Sequence, residues 1–200
     1  MINEAAILAS KRGASEVDLE DVEEARDKVW MGPALRSRKQ TERTRRITAY
    51  HEAGHTLTAL LVKHESPLHK VTIVPRGNAG GVTFFLEREE AFMTRKDMLN
   101  QLAVAMGGRV AEEIVFGRDD VTQGASGDLQ QATSLARNYV KRFGLGDGLL
   151  AHYNSNQHET RPSAAIDGKI DEEVEKLLRD ARERVVGLLT TNKAKLELLS

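Results

Sequence analysis

The sequence predicts a mainly α-helical domain with one small β-hairpin. Three observations carry this reading. Several long segments repeat apolar residues every three or four positions, the period of a helix face turned to a core. Only two short runs, residues 71–74 and 82–86, are rich in β-branched or aromatic residues, and they flank a Pro- and Gly-containing turn. One helical segment carries His51-Glu52-Ala53-Gly54-His55, whose chemistry needs a helix to bring its side chains together.

Apolar residues make up 40% and charged residues 30% of the 200, ordinary proportions for a chain able to bury a core. The formal net charge of −1 creates no overall field for nucleic acid or an anionic membrane. There is no cysteine, which excludes disulfides, thiolate metal sites and cysteine nucleophiles. No stretch approaches the ~18 consecutive apolar residues of a membrane span. Met1 leads into an amphipathic helix without the basic start of a signal peptide. The expectation is a soluble chain, or a soluble piece of a longer protein.

Residues 2–12 read as a helix, with Ile2, Ala5, Ala6, Ile7 and Ala9 apolar and Gly13 as a stop. Asp18 caps a second helix, whose apolar residues are Leu19, Val22, Ala25, Val29 and Trp30 and which Gly32-Pro33 ends. This pair is too small to stand alone, and its abrupt beginning is expected of a larger fold. Residues 34–46 carry Arg36, Arg38, Lys39, Arg43, Arg45 and Arg46 against the single acid Glu42. With no aromatic residue interleaved for base stacking, the run reads as a solvated linker rather than a nucleic-acid patch.

The next helix covers about residues 45–63. Four residues turn an α-helix by about 400° and advance it roughly 6 Å, so His51 and His55 leave one face and can point at one ion. Glu52 lies about 100° further round, poorly placed as a ligand but able to reach a water on that ion. This is a zinc-hydrolase arrangement, in which the carboxylate takes the proton of an activated water as it attacks a carbonyl. Ile47, Ala49, Tyr50, Ala53, Leu57, Leu60 and Leu61 make the segment a core helix, where two histidines and a glutamate need partners. Gly54, a poor helix former, implies a neighbour packed close to the backbone. His64 and His69 complete no zincin spacing, and Thr58 and Leu61 stand where a metzincin needs Gly and His. Both histidines read as loop residues.

The strands at 71–74 and 82–86 bracket the turn Pro75-Arg76-Gly77-Asn78-Ala79-Gly80-Gly81. The second strand is either part of a small sheet packed on the core or an edge that holds an extended peptide. Thr94 opens another helix, with Asp97 as its capping-box partner. Its apolar run Met98, Leu99, Leu102, Val104, Ala105, Met106 continues past Gly107-Gly108 to Val110, Ala111, Ile114, Val115 and Phe116. The double glycine permits a close helix crossing or a break. Glu112 and Glu113 lie on a solvated face, or serve as a ligand or as an orienter of His51 or His55. A polar loop over 117–127 leads to a helix over 128–140, with Asp128 at its start and Gly144 past its end. Residues 146–166 read as a loop. The last helix spans about 167–190, and its stripe of Ile170, Val174, Leu177, Leu178, Ala181, Val185, Leu188 and Leu189 reads as core or subunit interface.

A catalytic zinc takes three protein ligands and keeps one position open. Beyond His51 and His55, the chemistry leaves Glu112, Glu113, Asp119, Asp120, Asp128 and the loose histidines as candidates for the third.

Four stretches together resemble the FtsH family of ATP-dependent membrane zinc metalloproteases. They are Thr48-Ala49-Tyr50-His51-Glu52-Ala53-Gly54-His55, then Pro75-Arg76-Gly77, then Gly107-Gly108-Arg109-Val110-Ala111-Glu112-Glu113, then Gly124-Ala125-Ser126-Gly127-Asp128-Leu129. The resemblance runs in order over nearly the whole chain. It implies an FtsH-type metallopeptidase domain at 46–200, a linker at 33–45, and at 1–32 a remnant of the ATPase module's lid helices. It implies zinc held by His51, His55 and Asp128, with Glu52 as catalytic base. It implies a substrate edge at Gly80, Gly81, Val82, Thr83 and Phe84. Gly80 replaces a common Leu, and Glu87 stands where Pro often ends the edge strand. Unfolded or membrane-extracted polypeptides are the implied substrates, a homo-hexamer the implied assembly, and a membrane anchor outside this chain the implied attachment. ATP is implied only for the full-length protein, since no G-x-x-x-x-G-K-[ST] loop occurs here. The last helix and the loop before it look closer to organellar members, mitochondrial or chloroplast, than to bacterial ones. Two other readings compete: a zinc-stapled structural module without proteolysis, and a gluzincin-type peptidase with Glu112 or Glu113 as third ligand.

Overall fold

The computed structural model describes residues 1–35, 37, 39–77, 79–86, 92–148 and 163–200. Expectations for Arg36, Arg38, Asn78, Glu87 and most of the 146–166 loop lie outside the described residues. The elements in chain order are α1 (Ile2–Lys11), α2 (Leu19–Met31), α3 (Glu42–Val62), β1 (Leu68–Thr72), β2 (Val82–Phe85), α4 (Arg95–Phe116), α5 (Ser126–Lys141), α6 (Ala164–Thr191) and α7 (Lys193–Leu199). Two 3-10 turns, Arg118–Asp120 and Gln123–Ala125, join α4 to α5. Among the described residues, the mainly helical architecture with one two-stranded antiparallel sheet is the predicted one.

Helix starts follow the sequence signals. Asp18 accepts from Asp21 N–H while the Asp21 carboxylate accepts from Asp18 N–H, a complete capping box for α2. Thr94 and Asp97 do the same for α4. Helix α4 lies at the centre and packs against α3, α5 and α6, while α7 folds back on α3. Leu57, Leu102, Val110, Tyr139, Val185, Leu189 and Leu196 are among the residues of this core. The stripe expected for the last helix therefore lies against α4 and α5.

The double glycine does not break α4. A Cβ on Gly107 would meet the Gly54 carbonyl oxygen at 2.6 Å, and one on Gly54 would meet Ala111 Cβ at 2.6 Å. Glycines on both helices thus let α3 and α4 cross backbone to backbone, and the helix keeps its hydrogen bonds through the crossing.

The hairpin is shifted from its predicted position. Leu68 pairs with Phe85, Lys70 with Phe84, Val71 with Thr83 and Thr72 with Val82, with an irregularity between Leu68 and Lys70. Ile73 and Val74 have left the ladder, and Val74 N–H donates to Thr72 Oγ1 at 3.1 Å. β-branching marked the wrong end of the strand because the partner, not the propensity, sets the paired residues. His69 is consequently a strand residue, not a loop one. The basic segment before α3 is not wholly a solvated linker. Leu35 N–H donates to the Pro75 carbonyl at 2.7 Å, Gln40 Nε2 donates to the Gly80 carbonyl at 3.2 Å, and Arg43, Arg45 and Arg46 belong to the first turns of α3.

Candidate metal centre and active-site cleft

Helical spacing places the two imidazoles of α3 on one face, 4.7 Å apart between ring centroids. Asp128, in the first turn of α5, is brought to them across the fold. His51 Nε2 lies 3.1 Å from His55 Nε2 and 3.2 Å from Asp128 Oδ2, and His55 Nε2 lies 3.5 Å from the same oxygen. Among the described residues these three form the one cluster of His, Asp and Glu donors able to share an ion. Tetrahedral zinc with bonds of about 2.0–2.2 Å has ligand atoms roughly 3.3–3.6 Å apart, so the observed triangle needs only small adjustments. Two imidazole nitrogens and a carboxylate oxygen are also zinc's ordinary donors.

The other ring nitrogens are held by acceptors. His51 Nδ1 lies 2.8 Å from Glu112 Oε1, and His55 Nδ1 lies 2.7 Å from the Val104 carbonyl. An acceptor on Nδ1 puts the proton there and leaves the Nε2 lone pair for a metal. Glu112 is buried and accepts from Thr122 N–H at 2.8 Å through its other oxygen. Its carboxylate therefore sits on the Nδ1 side of His51, away from Nε2. Glu113, one residue on, turns to Arg182 and to Arg109, 3.2 Å away. Gly108 makes room for the rings, since a Cβ there would come within 2.6 Å of His51 Nε2.

The electrostatics suit a cation. Burial pushes the His51 imidazolium toward losing its proton, but Asp128, Glu112 and Glu52 outweigh it and raise the pKa to about 9. Burial raises the Asp128 carboxyl, and contacts with His51 and His55 more than reverse this and hold it well below the usual carboxylate range. Glu112 is lowered too: His51 and the Thr122 N–H outweigh its burial.

The centre opens on a cleft of about 810 Å³ lined on one side by Gly80, Gly81, Val82 and Thr83 and on another by Val104, Gln131 and Leu135. Glu52 lines the same cleft, and its Oε2 accepts from the Thr83 hydroxyl at 2.6 Å. A Cβ on Gly81 would lie 2.9 Å from Glu52 Cγ and 2.7 Å from Thr48 Cγ2, so the hairpin sits tight on α3. Phe84 does not face the cleft: its ring stacks on Trp30 of α2, with centroids 5.7 Å apart. Alternation along the strand turns Thr83 inward and Phe84 outward. His64 lines the cleft beside Phe85, whereas His69 faces Asp27. Sequence reasoning missed Val104 and Thr83 as partners of His55 and Glu52. A backbone carbonyl leaves no sequence signal, and a strand threonine is too common to be one.

Residues 38–200 match the sequence model of peptidase family M41. The chain is 46% identical over its full length to the ATP-dependent zinc metalloprotease YME1 homolog of Schistosoma mansoni, covering 30% of that protein. It is 47% identical over its full length to the ATP-dependent zinc metalloprotease FtsH of Akkermansia muciniphila, covering 26%. For the protein of that name from Bacillus subtilis the figures are 39% and 33%. The chain thus spans a quarter to a third of these relatives. The Schistosoma mansoni and Akkermansia muciniphila proteins match it about equally well, so the lean toward organellar members is not resolved. Among the described residues, no helix is long and apolar enough to cross a membrane. The chain belongs to peptidase family M41, as a zinc metalloprotease domain of the FtsH kind.

Proposed function

We propose that His51, His55 and Asp128 hold a zinc ion and that Glu52 is the general base of peptide-bond hydrolysis in this cleft. The observation that carries the reading is the triangle of donor atoms with both spare imidazole nitrogens engaged, beside a buried carboxylate on the same cleft wall. When bound, zinc lowers the pKa of a water to about 7 and polarises the scissile carbonyl. Glu52 then accepts the water's proton and returns it to the leaving amine. The Thr83 hydroxyl keeps the Glu52 carboxylate oriented. Glu112 and the Val104 carbonyl keep the imidazole lone pairs aimed at the ion.

β2 pairs only with β1 among the described residues, so its other edge offers N–H and C=O groups to an extended peptide along Gly80–Thr83, apart from the Gly80 carbonyl, which accepts from Gln40 Nε2. Recognition through main-chain groups tolerates many sequences, which suits unfolded or membrane-extracted polypeptide as substrate. The structural-staple reading is less well supported. Such sites close with four protein ligands, and the described residues bring together three beside an open cleft. The gluzincin reading is opposed by the carboxylate positions of Glu112 and Glu113. In the full-length protein we infer an ATPase module whose lid ends in α1–α2, a linker at 33–45, a homo-hexameric ring and a membrane anchor outside this chain.

Glu52→Gln should keep one zinc per chain and lower cleavage of an unfolded protein by about 10²–10⁴-fold. Asp128→Ala should lose the metal, whereas Glu113→Ala should keep it. Wild-type cleavage by Glu52→Gln, or full zinc in Asp128→Ala, would sink the assignment.

A further inference from the structure

The buried carboxylate of Asp27 has no part in the metal centre, yet it ties α2 to the outer face of the hairpin whose inner face touches Glu52. Asp27 is fully buried in the C-terminal half of α2 and pairs with Lys70 of β1. His69 Nε2 lies 3.4 Å from its Oδ1, and Arg76 Nη2 and Arg26 Nε lie 3.9 Å from its oxygens. The same junction stacks Trp30 on Phe84, sets His69 edge-on to Trp30 at 5.7 Å, and has Arg76 Nη1 donate to the Gly32 carbonyl at 2.8 Å. β2 is thus gripped from both sides. Phe84 goes outward to α2, and Thr83 goes inward to the Glu52 carboxylate. Helix α2 lies before the residues that match the peptidase family, so this grip comes from outside the matched domain.

We infer that Asp27 and Trp30 are positioning residues that set the β2 edge against α3, so that the placement of α2 and the binding of peptide in the cleft are coupled. The inference rests on the proposed peptide edge. It follows from geometry: moving β1 away from α2 while Asp27 stays buried would leave its carboxylate without its cations, and a displacement of Phe84 is passed to Thr83, its chain neighbour.

Trp30 is the sole tryptophan, so its emission reports on this junction directly. The zinc-loaded Glu52→Gln chain is titrated with a decapeptide of Ala and Phe lacking Trp and Tyr. A fluorescein-labelled copy gives binding independently by anisotropy. Trp30 emission should shift as the anisotropy saturates. Asp27→Asn, and separately Lys70→Met, should weaken that shift in the Glu52→Gln chain; in the chain that keeps Glu52 they should raise KM for a quenched peptide about 5–30-fold, with kcat changed less than threefold and zinc content unchanged. Binding that leaves Trp30 silent, or unaltered KM in both variants, overturns this inference and leaves the peptide edge standing. No anisotropy change in the zinc-loaded chain overturns the edge and the inference with it.

Discussion

Helices α1 and α2 meet through small residues, and so do α3 and α4, but the two contacts differ in what surrounds them. In the first, the buried apolar side chains are Ala5, Ala9 and Ala25, while Ile2 and Leu19 stand 87% and 74% exposed. In the second, Gly54 and Gly107 bring two backbones together, and α5, α6 and α7 cover the pair. The first contact is small because little apolar surface is on offer. The second is small because space is needed: the next residue, Gly108, is where the imidazoles of His51 and His55 pass. Small residues at a helix contact therefore mark two different things, and substitution separates them.

The largest effect is expected at Gly108. An added methyl group must displace a ligand ring, so Gly108→Ala should weaken zinc binding at least tenfold, the order seen when ligand orientation is lost. Competition with a chelator measures it, and undiminished affinity would show slack that the geometry does not have. Gly54→Ala comes next. Alanine favours a helix by about 1 kcal/mol, but its methyl would press on the Gly107 backbone and Ala111, and overpacking costs roughly 1–3 kcal/mol. Because backbone cannot step aside, a net loss of up to about 2 kcal/mol is expected in urea denaturation, and a gain in stability would break the comparison.

On the α1–α2 side, Asp18→Ala removes an N-cap worth about 1 kcal/mol. Faster amide exchange confined to α2, with zinc content unchanged, is the expected result. Lost metal would mean the two contacts are not separable. The last effect is one of pH. Burial raises Asp27, but Lys70, His69 and Arg76 outweigh it and hold the carboxyl below its ordinary 3.8. A lowered folded-state pKa means its stabilisation is complete above the unfolded value and is lost as pH falls through the lower folded value. Trp30 emission should stay constant down to about pH 4 and shift only below it. A transition centred near neutrality would overturn the assignment to Asp27.

Much of this was legible in the chain. The spacing of His51, Glu52 and His55 needs only helix geometry, and the N-cap at Asp18 and the capping box at Thr94 are local patterns. Other parts were not. Glu112 and Glu113 are adjacent acids with the same neighbours in sequence, and only the direction each takes from α4 sends one to His51 and the other to Arg182. His69 carried no sign of its strand or of Asp27, because both partners are far away in the chain. Asp128 was reached through family resemblance, since no spacing rule ties a residue on α5 to a helix more than seventy positions earlier.

By itself, then, the sequence determined the helical class, two histidines on one face with a carboxylate beside them, and the absence of any cysteine chemistry. Those depend on interactions within a turn or two of chain, where the backbone period dictates which side chains meet. The tertiary structure decided that the double glycine is a crossing and not a break. It decided which acid meets which histidine, and that Phe84 faces away from the cleft while Thr83 faces in. Those depend on which surfaces pack together, and packing is settled by the whole core at once.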